Sequence, residues 1–345
     1  MKISELQLGQ TIDTIANLNI SRRGSIAHLF KYALEANSGQ PLSLTAAENI
    51  LKTIKPKDKV FLTTGWIDQP VAAPDFAETD GPSGMLVLAR AIRQACKGCV
   101  ILFTDAQLVP GMKYLAQMAG FHCVEPEVLE ASIELNKLMT MSILPFPVEH
   151  EAAKQMAKGM IDKYQPTCLI SSERGGLNEA GKIHNMLGKD TGASQAKVDY
   201  LFQEAYERGI MSIAVGDGGN EIGMANIREG IKKSIQYGDK CQCECGLGVS
   251  PSTKVNTLMT ATVSNWGCYA IVSMIAALKM KRSLLHTVKA EELLMMTAMQ
   301  AGFHDAIYGG IGMSVDNFPA DVQYAVISLL NEAVEKYIVS HEQEG

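Results

Sequence analysis

Short apolar runs, each closed by a small polar or acidic cluster, recur through the middle of this chain. Val60-Phe61-Leu62-Thr63-Thr64 leads into Gly65, and Val100-Ile101-Leu102-Phe103-Thr104 ends at Asp105. Cys168-Leu169-Ile170-Ser171-Ser172 ends at Glu173-Arg174-Gly175-Gly176, and Met211-Ser212-Ile213-Ala214-Val215 at Gly216-Asp217. A fifth run, around Thr260-Ala261-Thr262-Val263, reaches Ser264-Asn265-Trp266. Apolar strands with little alternation, separated by helical segments, predict an α/β fold: a mostly parallel sheet with helices on both faces.

Helical periodicity dominates both ends. Ile26, Leu29, Phe30, Ala33 and Leu34 recur at helical spacing, and Thr45 with Glu48 reads as a capping box opening the next helix. Pro319 introduces a closing helix whose apolar face carries Val322, Val326, Leu329, Leu330, Val334 and Ile338. No composition shift or Pro/Gly-rich stretch marks a linker. The expectation is one α/β domain over 1–345, with a helical N-terminal segment, 1–55, packed on it.

Charged residues make up 20% of the 345 positions and hydrophobic ones 47%, a balance that favours a packed globule over disorder. The net charge of −6 offers no basic footprint for nucleic acid or an anionic membrane. The apolar stretch Trp266 to Leu278 is shorter than the ~20 residues a bilayer requires, so it reads as a buried helix. The N-terminus has no secretory pattern, and a cytoplasmic location is the expectation. Cys96-x-x-Cys99 and Cys241-x-Cys243-x-Cys245 lie far apart in sequence and are read as reduced thiols, with a structural metal site as the alternative. The 18 methionines and the terminal helix are compatible with a homo-oligomer.

Ligands of open parallel sheets bind beyond the carboxyl ends of the strands. That rule gathers Thr64, Asp105, Glu173, Arg174, Asp217, Asn220, Glu221, Ser264 and Asn265 at one rim. The sharpest segment is Gly216-Asp217-Gly218-Gly219-Asn220-Glu221, where two carboxylates and an amide share one glycine-rich turn. Its composition departs from the dinucleotide fingerprint, so no nucleotide cofactor is expected. Two carboxylates also repel a bare phosphate. They suit Mg²⁺ or Mn²⁺, a substrate ammonium, or proton transfer. The plainer alternative is a tight turn capped by Asn220 or Glu221. A second acidic cluster, Glu78-Thr79-Asp80-Gly81-Pro82, precedes a helix that Asp80 could simply cap. Glu173-Arg174 joins a carboxylate to a guanidinium suited to a bidentate grip on a substrate carboxylate, with an ion pair as the alternative. His304-Asp305 is read as structural.

Glu78-Thr79-Asp80-Gly81-Pro82-Ser83-Gly84, Gly216-Asp217-Gly218-Gly219-Asn220-Glu221-Ile222-Gly223-Met224 and Ser264-Asn265-Trp266-Gly267, in that order, resemble the D-glutamate cyclase-like family. The resemblance runs from about Ile20 to about Tyr337. The family's Glu-Arg pair and Asn-Met dipeptide are matched by Glu173-Arg174 and Asn185-Met186, while His184 stands where a tyrosine is expected.

The resemblance implies a lyase acting on an amino acid, closing D-glutamate to 5-oxo-D-proline with loss of water, or the reverse. Asp217, Glu221 and Glu173 are then the expected catalytic groups. Arg174, Asn220, Thr64, Gly218, Gly219, Ser264 and Asn265 are the expected substrate contacts, and Glu78, Asp80, Asp217 and Glu221 the expected ligands of Mg²⁺ or Mn²⁺. Two other readings stand beside it. One is a haloacid dehalogenase-like phosphohydrolase, whose Asp-x-Asp nucleophile strand has no counterpart at Asp105-Ala106-Gln107 or Asp80-Gly81-Pro82. The other is an amino-acid-binding domain without turnover.

Overall fold

A computed structural model of the chain describes residues 2–21, 24–135 and 138–342. Three helices come first: α1 (Glu5–Ala16), α2 (Ser25–Ala36) and α3 (Leu42–Thr53). The helical spacing seen around Ile26 falls in α2, where Ile26, Leu29 and Ala33 are buried. α3 starts at Leu42, three residues before the expected cap at Thr45. Pro41 occupies the cap position there, and the carboxylate of Asp13 accepts the amides of Leu42 (2.5 Å) and Ser43 (3.0 Å). A carboxylate reaching across from α1 thus satisfies amides that a local side chain was expected to serve.

The sheet strands are β1 (Lys59–Thr63), β2 (Cys99–Thr104), β3 (His122–Cys123), β4 (Thr140–Pro145), β5 (Cys168–Ser172), β6 (Met211–Gly216) and β7 (Thr257–Thr260). All pairings in this sheet are parallel, in the order β3-β4-β2-β1-β5-β6-β7. The α/β fold with N-terminal helices is as the pattern of apolar runs predicts. β3 and β4 were not anticipated. β3 is a two-residue edge strand, and β4 ends in the partly exposed Leu144-Pro145, so neither shows a clean apolar run. The fifth run is also displaced, because β7 ends at Thr260 and Ala261-Thr262-Val263 form the turn beyond it.

The connecting helices are α4 (Pro82–Ala95), α5 (Val109–Met118), α6 (Leu129–Leu135), α7 (His150–Tyr164), α8 (Asp199–Glu207) and α9 (Arg228–Ser234). After β7 come α10 (Ser264–Leu278), α11 (Val288–Gln300) and α12 (Ala320–Glu342). A small antiparallel pair, β8 (Ser314–Val315) and β9 (Phe318–Pro319), precedes α12. Pro319 therefore ends a strand and immediately precedes the closing helix, one position before the first helical residue. On α12, Val326, Leu330, Val334 and Ile338 are buried as predicted, whereas Leu329 is exposed.

From β1 the chain winds outward through β2, then returns past β1 to lay down β5, β6 and β7. The order reverses between β1 and β5, which opens a crevice at their carboxyl ends. α4 joins β1 to β2 and α8 joins β5 to β6, in opposite directions along the sheet, which the right-handed rule for parallel crossovers assigns to opposite faces. α10 packs against α4, α3, α1 and α12 on one side, and α7 packs on α8 on the other. Every residue of α10 from Ser264 to Ala277 is buried. Its helix period shows only weak amphipathicity because neighbours surround it. One continuous apolar cluster runs from Leu8 through the sheet to Ile338. Among the described residues, no helix is long and apolar enough to cross a membrane.

Candidate functional site

A cavity of about 780 Å³ opens at the carboxyl ends of β5 and β6. Asp68, Glu78, Glu173, Asp217 and Asp316 bring five carboxyl side chains to its lining, with Trp66, Gly218 and Asn220 beside them. The residues come from five separate segments.

The turn 78–84 is locked to the start of α10. Asp80 accepts the amides of Ser264 and Asn265, both at 2.8 Å, and of its neighbour Gly81 at 2.9 Å. Asn265 answers with its side-chain oxygen, which accepts the amides of Gly81 (3.1 Å) and Gly84 (2.7 Å), while its amide nitrogen donates to the carbonyl of Thr79 (3.2 Å). Asp80 therefore caps a helix, but that helix is α10, not the α4 that follows it in sequence. Gly81 sits at φ +93°, and a Cβ there would stand 2.6 Å from Cβ of Glu173 and 2.7 Å from Oγ1 of Thr64. Only glycine fits this close approach.

Glu173 follows β5 in a left-handed conformation, φ +45°, uncommon for a side chain of this kind. Its carboxyl oxygen receives the Ser264 hydroxyl at 2.5 Å. Burial raises the Glu173 pKa well above the usual glutamate range, and the negative charges of Asp217, Glu221, Glu78 and Asp80 push the same way. Glu78 is raised well above its ordinary value by burial and by Asp68, Asp316, Asp80 and Asp217. Asp80 is pushed up to about 8 by burial and by Asp316, against the three amides that favour its charged form.

In the glycine loop, one Glu221 oxygen accepts the amides of Asp217 (2.7 Å) and Gly218 (2.5 Å), and the other accepts Gly219 (2.7 Å). Glu221 is fully buried and braces the loop from beneath. Of the loop glycines, Gly219 and Gly223 take positive φ; Gly216 and Gly218 do not. Asn220 donates to the carbonyl of His184 at 2.7 Å.

The expected site residues thus divide. Glu173, Asp217, Glu78, Gly218 and Asn220 line the cavity, while Glu221, Asp80, Thr64, Gly219, Ser264 and Asn265 stand behind it. Arg174 is placed furthest from its expected use. Its guanidinium is completely buried and donates to the carboxylate of Asp105, the carbonyl of Gly65 and the carbonyl of Ala196. A buried charge needs a partner and Asp105 supplies it, so the arginine ties β1, β2 and β5 together instead of facing a substrate carboxylate.

Among the described residues, two sets of carboxylates have oxygens within 4.8 Å of one another: Asp80, Asp217 and Asp316, and Glu173, Asp217 and Glu221. Both are hard oxygen sets of the kind Mg²⁺ or Mn²⁺ takes. Glu78, expected among the ligands, belongs to neither. Asp316 was missed by sequence reasoning. It occupies the two-residue turn Asp316-Asn317 between β8 and β9, with both residues at positive φ. Asp-Asn between strand-forming residues is a legible turn signal, but nothing in it says that the turn ends over the crevice. Asp68 was also missed. It accepts from or pairs with Nε2 of His304 at 2.7 Å, a contact that raises the His304 pKa, so the histidine works with Asp68 and not with its sequence neighbour Asp305. Asp305 instead accepts the amides of Ile307, Tyr308 and Asn317.

The family model for D-glutamate cyclase-like proteins, C-terminal, matches residues 12–331. The chain belongs to that family. The human protein D-glutamate cyclase, mitochondrial, is 27% identical over 285 residues, which cover 75% of this chain and 43% of the human one. This chain thus spans less than half of that relative's length. In a solved structure, Treponema denticola trans-2-enoyl-CoA reductase in complex with NAD aligns with 99% of this chain and 90% of its own. Identity there is 11% and the TM-score 0.24, a likeness that carries no weight for fold or cofactor. For this D-glutamate cyclase-like chain, the first and third of the motifs that carry the family resemblance are joined directly by the Asp80 and Asn265 contacts. The glycine loop is tied to the Glu173-Arg174 segment by the amides of Gly176 and Ile222, which donate to the carbonyls of Asn220 and Arg174, both at 2.9 Å.

Proposed function

We propose that this chain is a lyase of the D-glutamate cyclase type, interconverting D-glutamate and 5-oxo-D-proline plus water. The observation that carries the proposal is the crowding of Glu78, Glu173 and Asp217 on one cavity wall, with the first two held toward their protonated forms. Family membership supports the substrate class.

Ring closure converts an ammonium and a carboxylate of one molecule into a lactam. The nitrogen sheds two protons, the side-chain carboxyl carbon loses one oxygen, and those protons leave with that oxygen as water. The reaction is neutral in protons overall, so the site needs a relay with a base at the nitrogen and an acid at the oxygen. Asp217, at the cavity face of the loop, is assigned the first proton transfer. Glu173, kept as a carboxylic acid by burial among like charges, is assigned delivery to the departing oxygen. The carboxylate wall also binds the substrate ammonium. Folding the substrate so that nitrogen meets the side-chain carboxyl carbon supplies the proximity that a two-molecule amidation lacks.

With Arg174 committed to Asp105, a divalent cation would be held by Asp80, Asp217 and Asp316, the carboxylate set that leaves Glu173 free to act as the acid. Bound there, such an ion supplies Lewis-acid polarisation of the carboxyl group.

The test is incubation of the purified chain with D-glutamate, L-glutamate and each 5-oxoproline, with Mg²⁺ or Mn²⁺ added, followed by chiral analysis. Conversion confined to the D-series supports the proposal. Saturable D-glutamate binding without conversion would make the chain a binding domain, and turnover of phosphate esters would return the phosphohydrolase reading.

A further inference from the structure

The fold brings together three cysteines and a histidine that take no part in the proposed chemistry. Cys241, Cys243 and Cys245 lie on the segment between α9 and β7, and His184 lies on the long connection between β5 and α8. The Cys241 sulfur is 3.4 Å from those of Cys243 and Cys245, which stand 3.3 Å apart. Nε2 of His184 is 3.2 Å from Cys243 Sγ and 3.8 Å from Cys245 Sγ. All four donor atoms fall within one sphere of contact. From the geometry we infer that His184, Cys241, Cys243 and Cys245 form a mononuclear zinc site.

Spacing, chemistry and connectivity support this independently. Donors about 2.0–2.3 Å from a tetrahedral zinc lie roughly 3.3–3.8 Å from one another, and the five separations above run from 3.2 to 3.8 Å. A disulfide requires sulfurs at about 2.05 Å and pairs thiols two at a time, whereas three converge here. A multinuclear iron–sulfur cluster would keep its cysteine sulfurs much further apart, with the metal atoms between them. Three soft sulfurs with one imidazole are a zinc set, while the carboxylates of the cavity are a hard-cation set. Nδ1 of His184 is buried without a hydrogen-bond partner, which leaves Nε2 as the nitrogen presented to the sulfurs.

The ligands also come from two long connections that need a tie. The Cys segment meets the His184 segment through Gln242 N–H to the Gly188 carbonyl (2.8 Å), and Asn178 reaches the Gly248 carbonyl (2.9 Å) and the Cys245 sulfur (3.5 Å). The backbone carbonyl of His184 accepts from Asn220, and Asn185, Met186 and Leu187 line the cavity directly. A zinc ion at this position staples the wall that carries Asn220. Its role is structural, because all four protein ligands are filled and no position is left open for substrate.

The experiment is elemental analysis of tag-free full-length protein, purified without chelator from zinc-replete cells, alongside His184→Gln, Cys243→Ser and Cys245→Ser variants. About one zinc per chain is expected in the parent and a loss of most of it in each variant. Replacement by Co²⁺ should give the thiolate charge-transfer and ligand-field bands of a tetrahedral site in the parent protein, a readout that does not depend on variant folding. Stoichiometric iron or copper in place of zinc overturns the assignment. So does metal-free protein in which Cys241, Cys243 and Cys245 react with a thiol reagent equally fast with and without added zinc. The outcome is independent of whether D-glutamate is turned over.

Discussion

The Asp80 carboxylate holds the backbone of Asn265, and the Asn265 side chain holds the backbone on either side of Asp80. The aspartate accepts the asparagine's amide at 2.8 Å, and the asparagine's side-chain oxygen accepts the amides of Gly81 and Gly84, one and four residues beyond the aspartate. Two segments 185 residues apart in sequence are thereby fixed in register, with Glu173 bound to Ser264 between them. Shape-conserving changes at this clasp should therefore be felt at the cavity.

Asn265→Ala removes the acceptor for two buried amides and the donor to Thr79. Each buried group left unpaired costs about 1–3 kcal/mol, so denaturant unfolding should show a loss of at least that size. A midpoint equal to the parent's would show that water or another side chain takes over the clasp.

Buried carboxyls give the chain a distinctive pH response. Glu78, Asp80 and Glu173 all have folded-state pKa values above their ordinary ones, with Asp80 at about 8. The folded state then binds more protons than the unfolded state, so stability falls as pH rises from the ordinary carboxylate range toward 8. Thermal unfolding of metal-free protein should show a higher midpoint at pH 6 than at pH 8. Added Mg²⁺ or Mn²⁺ should reduce that difference, since a bound cation favours the ionised carboxylates. An unfolding midpoint that climbs between pH 6 and 8 would contradict the burial argument.

Asp217 and Glu221 share one loop but should separate cleanly on substitution. Asp217→Asn is expected to leave the unfolding midpoint close to the parent's and to lower lactam formation by ~10²–10⁴-fold, the usual contribution of a positioned proton-transfer group. Glu221→Gln trades a carboxylate that accepts three amides for a group whose nitrogen accepts none, so its first effect is on stability. Near-normal turnover in Asp217→Asn would remove that residue from the chemistry.

Arg174→Met should behave as a folding defect. It leaves Asp105 as a buried charge without its partner, a change that costs about 3–5 kcal/mol. Soluble yield and unfolding midpoint are the readouts. If Arg174→Met stays as stable as the parent and only KM for glutamate rises, the arginine contacts substrate after all.

The apolar runs sufficed to locate β1, β2, β5 and β6, because a strand covered on both faces must be apolar at every position and so announces itself. The polar residue ending each run pointed to the rim for the same topological reason. β3, β4 and the end of β7 were illegible, since short or half-exposed strands lose that continuous signal. Helix entry was misread at Thr45, because Asp13, distant in sequence, serves the first amides of α3; α12 does begin directly after Pro319.

Residue type and local order therefore determined that a parallel sheet would form and that Asp217 would leave it in a glycine turn. They also determined that acidic clusters would end at one rim. Which carboxylates face the cavity was decided only in three dimensions. Glu221 turns inward because three loop amides need an acceptor, and Arg174 is buried because Asp105 lies opposite it on a neighbouring strand. Asp316 arrives from a hairpin far along the chain, and His184 meets Cys241, Cys243 and Cys245 across two loops. Spacing along a chain encodes periodicity, whereas a site assembled from ends of non-adjacent segments is fixed by strand order and packing, which no local pattern records.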